Sequence, residues 1–213
     1  SGSMVDDEGS SSSSNPWRLK SRYCNMFSEE EAESYDCHFF KVTEKLARNM
    51  DMRQVGILQS VWHALEDAGL SGERLYRTRT GIFAAGYVQV AHCVEAPDET
   101  TLRGSLMSSL SDHVAFFLGT HGPSVTLETA CSSSLVALSM AVAALCKGDC
   151  DYAIVACVNI PQDKDFHLSL QACGVLSSTG TSHPFEDAGP KGYVRAEGYG
   201  CIVLRRFKDS IQD

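Results

Sequence analysis

Positive charge is scarce in this sequence. Its 213 residues include 18 lysines and arginines against 27 aspartates and glutamates, which gives a formal net charge of −9. A surface that binds nucleic-acid phosphates needs clustered lysines and arginines, and the basic residues here are scattered along the chain. We therefore expect no nucleic-acid partner.

Long apolar runs and internal repeats are also missing. Polar or charged residues interrupt every apolar stretch well short of the roughly 18 residues that a membrane-spanning helix needs, so we predict no membrane span. No repeat of period about 20–50 residues is visible. With 43% hydrophobic residues, the chain can form one substantial core, either as a single domain or as a large piece of a bigger one.

Several motifs of known chemistry are absent. There is no GxGxxG segment after a strand and no GKS or GKT, which argues against a phosphate-binding loop. The GxSxG turn of serine hydrolases does not occur either. Cys146, Cys150 and Cys157 lie close together in sequence, but a CxxxC pair with no nearby histidine lacks zinc-like spacing. We predict no metal site and no bound cofactor.

Cysteine use points to a reducing compartment. The chain has nine cysteines, an odd number. Cys93, Cys157, Cys173 and Cys201 lie inside apolar runs, where a thiol behaves as a small hydrophobic group. Because disulfides are rare in the cytosol, this pattern predicts a cytoplasmic protein.

Residues 1–16 differ in composition from the remainder. SGSM has the character of a cloning scar, and the acidic, serine-rich stretch after it has almost nothing to bury. We predict a disordered leader over 1–16 and one folded domain over 17–213.

Hydrophobic periodicity predicts alternating helices and strands. The predicted helices cover 52–70, 101–118, 132–148 and 163–173, and the predicted strands cover 81–86, 124–130, 152–159 and 200–207. A loop rich in Gly, Ser and Pro joins the last helix to the last strand. Such alternation is typical of an α/β domain with helices on both faces of a sheet.

Cys131 stands where the strand 124–130 gives way to the helix 132–148. At a helix start, free N–H groups and the positive end of the helix dipole stabilise an anion, which favours a nucleophilic thiolate and can hold an oxyanion. Ser132, Ser133 and Ser134 are small and polar, so they leave room for a substrate. A thiol buried beneath the helix is equally compatible with the spacing alone.

The segment GPSVTLETACSSSLVAL (122–138) resembles the active-site segment of β-ketoacyl synthases, with Glu128 in place of the family's aspartate. The similarity continues in order along the chain at YDCHFF (35–40), MDMRQ (50–54), WHALEDAGL (62–70), DYAIVACVN (151–159), ACGVLSSTG (172–180) and HPFEDAGPKGYVRAEGYG (183–200).

This resemblance implies a thiolase-like fold, of which the chain would be the N-terminal half of the layered αβαβα architecture, incomplete. It also implies that Cys131 accepts an acyl chain from the phosphopantetheine of an acyl carrier protein for decarboxylative condensation with a malonyl-type extender, in polyketide or fatty acid biosynthesis. Ser132 to Ser134 would line the entrance. The strand 124–130 would pair with its copy in a homodimer.

The sequence departs from the family in two ways that bear on function. It has no His-Gly-Thr-Gly-Thr motif, and His121 and His183 fall where we expect surface or loop residues. By resemblance, the family's first apolar strand lies inside the sheet, and nothing between Trp17 and Asp51 is an obvious substitute for it. We therefore predict a fragment that lacks the catalytic histidines, with two strands left unpaired until other polypeptide, including the remainder of the ketosynthase domain, completes sheet and site.

Two further interpretations remain open. One is a non-catalytic scaffold derived from a ketosynthase, which the missing histidines favour and the retained Cys131 opposes. The other is a biosynthetic thiolase, whose motif around its cysteine differs from ACSSS. Arg195 and Glu197 are predicted to form a structural ion pair.

Overall fold

The computed structural model describes residues 35–87, 98–160, 164–186 and 192–211, together with two short strands nearer the N-terminus. The chain divides into two compact units. The larger one contains residues 33–159 and 199–213, and the smaller one contains residues 1–32 and 160–198.

The helices and strands alternate along most of the chain, as the sequence predicts. In chain order they are β1 (Ser3–Met4), β2 (Tyr23–Asn25), α1 (Glu44–Ala47), α2 (Met52–Asp67), α3 (Gly72–Leu75), β3 (Thr80–Ala85), α4 (Thr101–Ser105), α5 (Ser109–Leu118), β4 (Ser124–Leu127), α6 (Ser133–Lys147), β5 (Tyr152–Asn159), α7 (Lys164–Ala172), β6 (Arg195–Ala196), β7 (Gly198–Arg205) and α8 (Phe207–Ser210).

A four-stranded sheet in the order β4-β3-β5-β7 forms the centre of the larger unit. Strand β3 runs parallel to both of its neighbours, with Ile82 opposite Ser124 on one side and Ile154 on the other. Every residue of β3 is buried, as is typical of an inner strand of a parallel sheet covered on both faces.

Strands β3 and β5 pair directly with each other. Their six residue pairs run from Thr80 opposite Tyr152 to Ala85 opposite Cys157, and we call this contact the β3–β5 seam. The sequence led us to expect that two strands of the sheet would be left without a partner. In the part of the chain that the structure describes, β3 and β5 instead supply each other's backbone donors and acceptors, so no such gap lies between them.

The two faces of the sheet are covered by different helices. Helix α6 packs on β3 and β5 through one hydrophobic cluster, to which Phe83, Ala85, Ala137, Ala141 and Val155 belong. Because side chains alternate along a strand, Ile82 and Ala84 point to the opposite face. Helices α2 and α5 contact the strands from there.

Helix α6 is covered on one side only. Its buried residues are small or lie on one stripe, among them Ala137, Ala141 and Leu145, whereas Leu135 and Val142 are 69% and 47% exposed. By length and composition alone, Ala130–Lys147 is apolar enough to cross a membrane, contrary to our expectation that no segment would be. Core helices of globular proteins meet the same criterion, and this one packs along the sheet.

The predicted helix over 101–118 is wrong in its middle, because the structure has two helices, α4 and α5, with a break at 106–108. The buried Gln54 donates from Nε2 to the carbonyl oxygens of Arg103 (3.3 Å) and Leu106 (3.4 Å). The N–H of Ser111 donates to Oγ1 of Thr126 at 3.1 Å. These distant partners satisfy the backbone where the helix is interrupted.

Three helices end at or next to a glycine with a left-handed conformation. Gly148, with φ of 79°, ends α6 as predicted, and Gly69 follows the end of α2 with φ of 65°. Helix α5 ends at Leu118, the predicted bound, and Gly119 caps it with φ of 63°.

The smaller unit contains helix α7 and a three-stranded sheet in the order β1-β2-β6. Cys24 of β2 is buried opposite Arg195 of β6, whose guanidinium lies 5.2 Å from the ring centre of Phe166. The ion pair of Arg195 with Glu197 stays a prediction. Of the proposed leader 1–16, the strand Ser3–Met4 is described, and its other residues lie outside the described part of the chain, as does Cys93.

Replacing Gly122 with alanine is expected to lower the free energy of unfolding by about 2–3 kcal/mol, because an added Cβ would meet the carbonyl group of Thr80 and approach the nitrogen of Gly81 to 2.7 Å. Chemical denaturation measures the loss. Gly198→Ala is the matched control, since nothing lies within 4 Å of its Cβ position. Equal stability of the two variants would contradict the close approach.

Candidate active site

Cys131 lies at the turn between β4 and α6 and is exposed. The residue before it, Ala130, has φ of 56°, a left-handed conformation that is costly for a residue with a Cβ. Cys131 follows this strained residue directly, at the junction of the strand and the helix. Cys131 therefore lies just before the start of α6, where the sequence predicted it. Its thiol is exposed and is not buried beneath the helix.

Side chains from both ends of the turn hold this backbone in place. Glu128 Oε1 accepts a hydrogen bond from the N–H of Ala130 at 2.8 Å. Ser133 Oγ accepts from the N–H of Thr129 at 2.8 Å and donates to the carbonyl oxygen of Ala130 at 2.7 Å. Ser132 Oγ donates to the carbonyl oxygen of Thr129 at 2.7 Å. The polar groups of the turn are therefore fixed before any substrate arrives.

The three serines predicted to line the entrance lie in two environments. Ser132 and Ser134 are exposed, whereas Ser133 is buried and uses its hydroxyl on the turn. Ser133 therefore positions the backbone at Cys131, and the surface next to the thiol belongs to its two neighbours.

Three other cysteines of the larger unit are shielded. Burial raises the pKa of Cys150 and Cys157, and burial together with the nearby Cys157 raises the pKa of Cys201 to about 12. These thiols stay protonated at neutral pH and are poor nucleophiles. Cys146 and Cys173 are exposed, which corrects the expectation that Cys173 behaves as a small core residue.

The described histidines lie outside this turn. His121 is exposed, as expected, and His183 lies in the loop that follows α7. His113 of α5 is buried, and desolvation lowers its pKa, so that its ring is neutral at pH 7. Within the described residues, no group of three or more His, Cys, Asp or Glu side chains could hold a metal ion.

Sequence reasoning missed two contributors to the site. In the sequence, Glu128 stands out only as a departure from the family motif, yet its carboxylate accepts a hydrogen bond from the strained turn. An acidic residue two positions before the N–H that it binds could have indicated this contact, since Asp and Asn make the same contact in Asx turns. The left-handed Ala130 leaves no such signal, because alanine is not enriched in that conformation.

Replacing Glu128 with alanine is expected to slow the reaction of the Cys131 thiol with iodoacetamide roughly fivefold, because the turn loses a hydrogen bond of about 1 kcal/mol. The rate of mass gain at Cys131, followed by peptide mapping, measures this. Glu128→Asp and Glu128→Gln keep an acceptor for the N–H of Ala130 and should stay within about twofold of wild type. If all three variants react alike, Glu128 does not position the turn.

The fold and the site together define a class: α/β proteins with a cysteine presented at a strand-to-helix turn. The chain belongs to the β-ketoacyl synthase family, since residues 6–210 match the family described as "Beta-ketoacyl synthase, N-terminal domain". Its fold is the thiolase-like α/β fold of that family, in part.

Relatives of known description agree. Over 186 residues the chain is 36% identical to a phenolphthiocerol/phthiocerol polyketide synthase polypeptide of Mycobacterium tuberculosis, covering 85% of this chain and 10% of that protein. It is 34% identical over 192 residues to the highly reducing polyketide synthase fogA of Aspergillus ruber, covering 88% of this chain and 8% of that protein. The chain thus spans about a tenth of the length of these relatives.

Solved structures show the same fold. The oxazolomycin ketosynthase domain OzmH KS7 of Streptomyces albus superposes with a TM-score of 0.78 at 35% identity, covering 90% of this chain and 34% of that one. The ketosynthase from module 6 of the bacillaene synthase of Bacillus subtilis gives 0.76 at 29% identity, covering 88% of this chain and 32% of that one. The chain spans about a third of either domain.

Proposed function

We propose that this chain carries the acyl-accepting step of a polyketide-type ketosynthase, with Cys131 as the residue that receives the acyl group. The exposure of Cys131 at the start of α6, on a turn held by Glu128 and Ser133, supports this most strongly. An exposed thiol also speaks against the non-catalytic scaffold, for which an inert buried cysteine would be expected.

The step is a thioester exchange. The sulfur of Cys131 attacks the carbonyl carbon of an acyl thioester on the phosphopantetheine of an acyl carrier protein, its proton passes to the departing thiol, and the C–S bond to pantetheine breaks. The oxyanion of the intermediate would be stabilised by the N–H of Cys131 and by the positive end of the α6 dipole. Ser132 and Ser134 flank the path by which the acyl group arrives.

Condensation needs more than this. In the family that the chain belongs to, two histidines assist decarboxylation of the malonyl-type extender, and the 213 residues contain no His-Gly-Thr-Gly-Thr segment. We propose that the chain alone is acylated and does not condense, so that the full reaction depends on the remainder of a ketosynthase domain.

Two uncovered surfaces suggest where partners belong. The exposed apolar side of α6, with Leu135 and Val142, suits the remainder of the domain, because such residues are normally buried. Strand β4 is an edge of its sheet, and the family resemblance makes that edge the place where two copies would pair. A cytoplasmic location, where the thiol stays reduced, fits this chemistry.

The proposal is tested with a short acyl thioester of pantetheine. Wild-type chain is expected to release free pantetheine and to gain the mass of one acyl group, and Cys131→Ala is expected to do neither above background, a loss of at least about a hundredfold. Absence of release from wild type would refute the acyl-acceptor role. A malonyl thioester added next is expected to give no β-ketoacyl product, and its formation would refute the dependence on other polypeptide.

A further inference from the structure

A second set of reactive side chains lies in the smaller unit, in the loop after α7. His183 Nδ1 is 2.8 Å from Glu186 Oε1, and His183 Nε2 is 2.7 Å from Thr181 Oγ1. A carboxylate can only accept hydrogen bonds, so the proton of the neutral ring belongs on Nδ1. Nε2 is then an acceptor, and the hydroxyl of Thr181 donates to it.

Further hydroxyls extend this chain of hydrogen bonds. Thr179 Oγ1 lies 3.1 Å from Thr181 Oγ1 and 3.1 Å from Ser177 Oγ. Because the proton of Thr181 points to the imidazole, Thr181 accepts from Thr179, which in turn accepts from Ser177. Glu186 therefore sets the direction of every hydrogen bond in the relay, and its far end at Ser177 is fully buried.

The loop is fixed at several points. The N–H of Ser177 donates to the carbonyl oxygen of Tyr193 at 2.9 Å, and the N–H of Val194 donates to Ser182 Oγ at 3.0 Å. Thr181 itself is exposed. Among the described residues, the N–H groups of Thr181 and Ser182 have no backbone hydrogen-bond acceptor.

We propose that Thr181, His183 and Glu186 form an acyl-accepting site independent of Cys131, in which the imidazole activates the threonine hydroxyl toward activated esters. The hydroxyl oxygen of Thr181 attacks the ester carbonyl carbon while its proton moves to Nε2 of His183. The bond from that carbon to the leaving alcohol breaks, and the imidazolium returns the proton to the leaving oxygen. The product is an ester on Thr181, and Glu186 stabilises the imidazolium in between.

The test uses 4-nitrophenyl acetate on the full chain, with acetylation of individual residues quantified by peptide mass spectrometry. The exposed Ser182 is an internal control, since its primary hydroxyl is intrinsically less hindered than that of threonine and, among the described residues, the ring nitrogens of His183 bond to Thr181 and Glu186 and not to Ser182. Thr181 is expected to acetylate at least about tenfold faster than Ser182. Equal or faster labelling of Ser182 would overturn the proposal.

Two variants identify the cause of the reactivity. His183→Gln is expected to reduce labelling of Thr181 to the level of Ser182, and Glu186→Gln to reduce it partly. Ser182 labelling in each variant reports whether the loop has kept its exposure. If His183→Gln leaves the Thr181 rate unchanged while Ser182 is also unchanged, the imidazole does not activate the hydroxyl and the site does not exist.

Discussion

Ala85→Cys is expected to form a disulfide with the native Cys157 in nearly every molecule after oxidation. The two positions are directly opposite in the β3–β5 seam, where neighbouring strands lie about 4.8 Å apart. A disulfide requires Cα atoms within about 7 Å. If another strand stood between β3 and β5, the same atoms would lie about 10 Å apart and no link could form.

The experiment needs an oxidant and alkaline pH, because burial raises the pKa of Cys157 and keeps its thiol protonated under neutral conditions. Diamide followed by peptide mapping identifies the linked pair. Ala84→Cys is the matched control, since its side chain points to the opposite face of the sheet and its partner in the seam is Ala156. Wild type reports any link between Cys157 and Cys201. An Ala85→Cys chain that remains reduced would contradict the seam.

Cys131 is expected to react with iodoacetamide roughly tenfold faster than Cys146. Both thiols are exposed, and they stand at opposite ends of one helix, Cys131 just before the first turn of α6 and Cys146 in the last. The helix dipole favours a thiolate at its start and disfavours one at its end.

Time-resolved peptide mapping of the folded chain measures both rates in one sample. The buried Cys150, whose pKa burial raises, is expected to stay unmodified and so confirms that the chain is folded. Equal rates at Cys131 and Cys146 would mean that exposure alone, without the helix start, governs the reactivity of the thiol.

The sequence pattern predicted correctly those elements whose bounds depend on nearby residues alone. Strand β5 has the predicted bounds, 152–159, because an unbroken β-branched and apolar run can be buried on both faces in only a few ways. Helix α6 ends at Gly148, where a left-handed residue is needed. The position of Cys131 followed from the junction of the predicted strand 124–130 with the predicted helix 132–148, and from the resemblance to the family motif.

The features that the sequence pattern did not predict depend on contacts with residues distant in sequence. The break between α4 and α5 depends on Gln54 and Thr126, which contact the backbone from other elements. The seam depends on which strands meet, and a strand's own sequence does not specify its neighbour. The strained φ of Ala130 is likewise imposed by contacts from Glu128 and Ser133.

A map of acyl groups over all the cysteines, after brief exposure of the wild-type chain to a pantetheine thioester, tests most directly whether Cys131 is the nucleophile. The arrangement at the start of α6 predicts that Cys131 carries nearly all of the label, while Cys146 and Cys173, which are also exposed, carry little. An acyl group spread evenly over these three exposed thiols would contradict it.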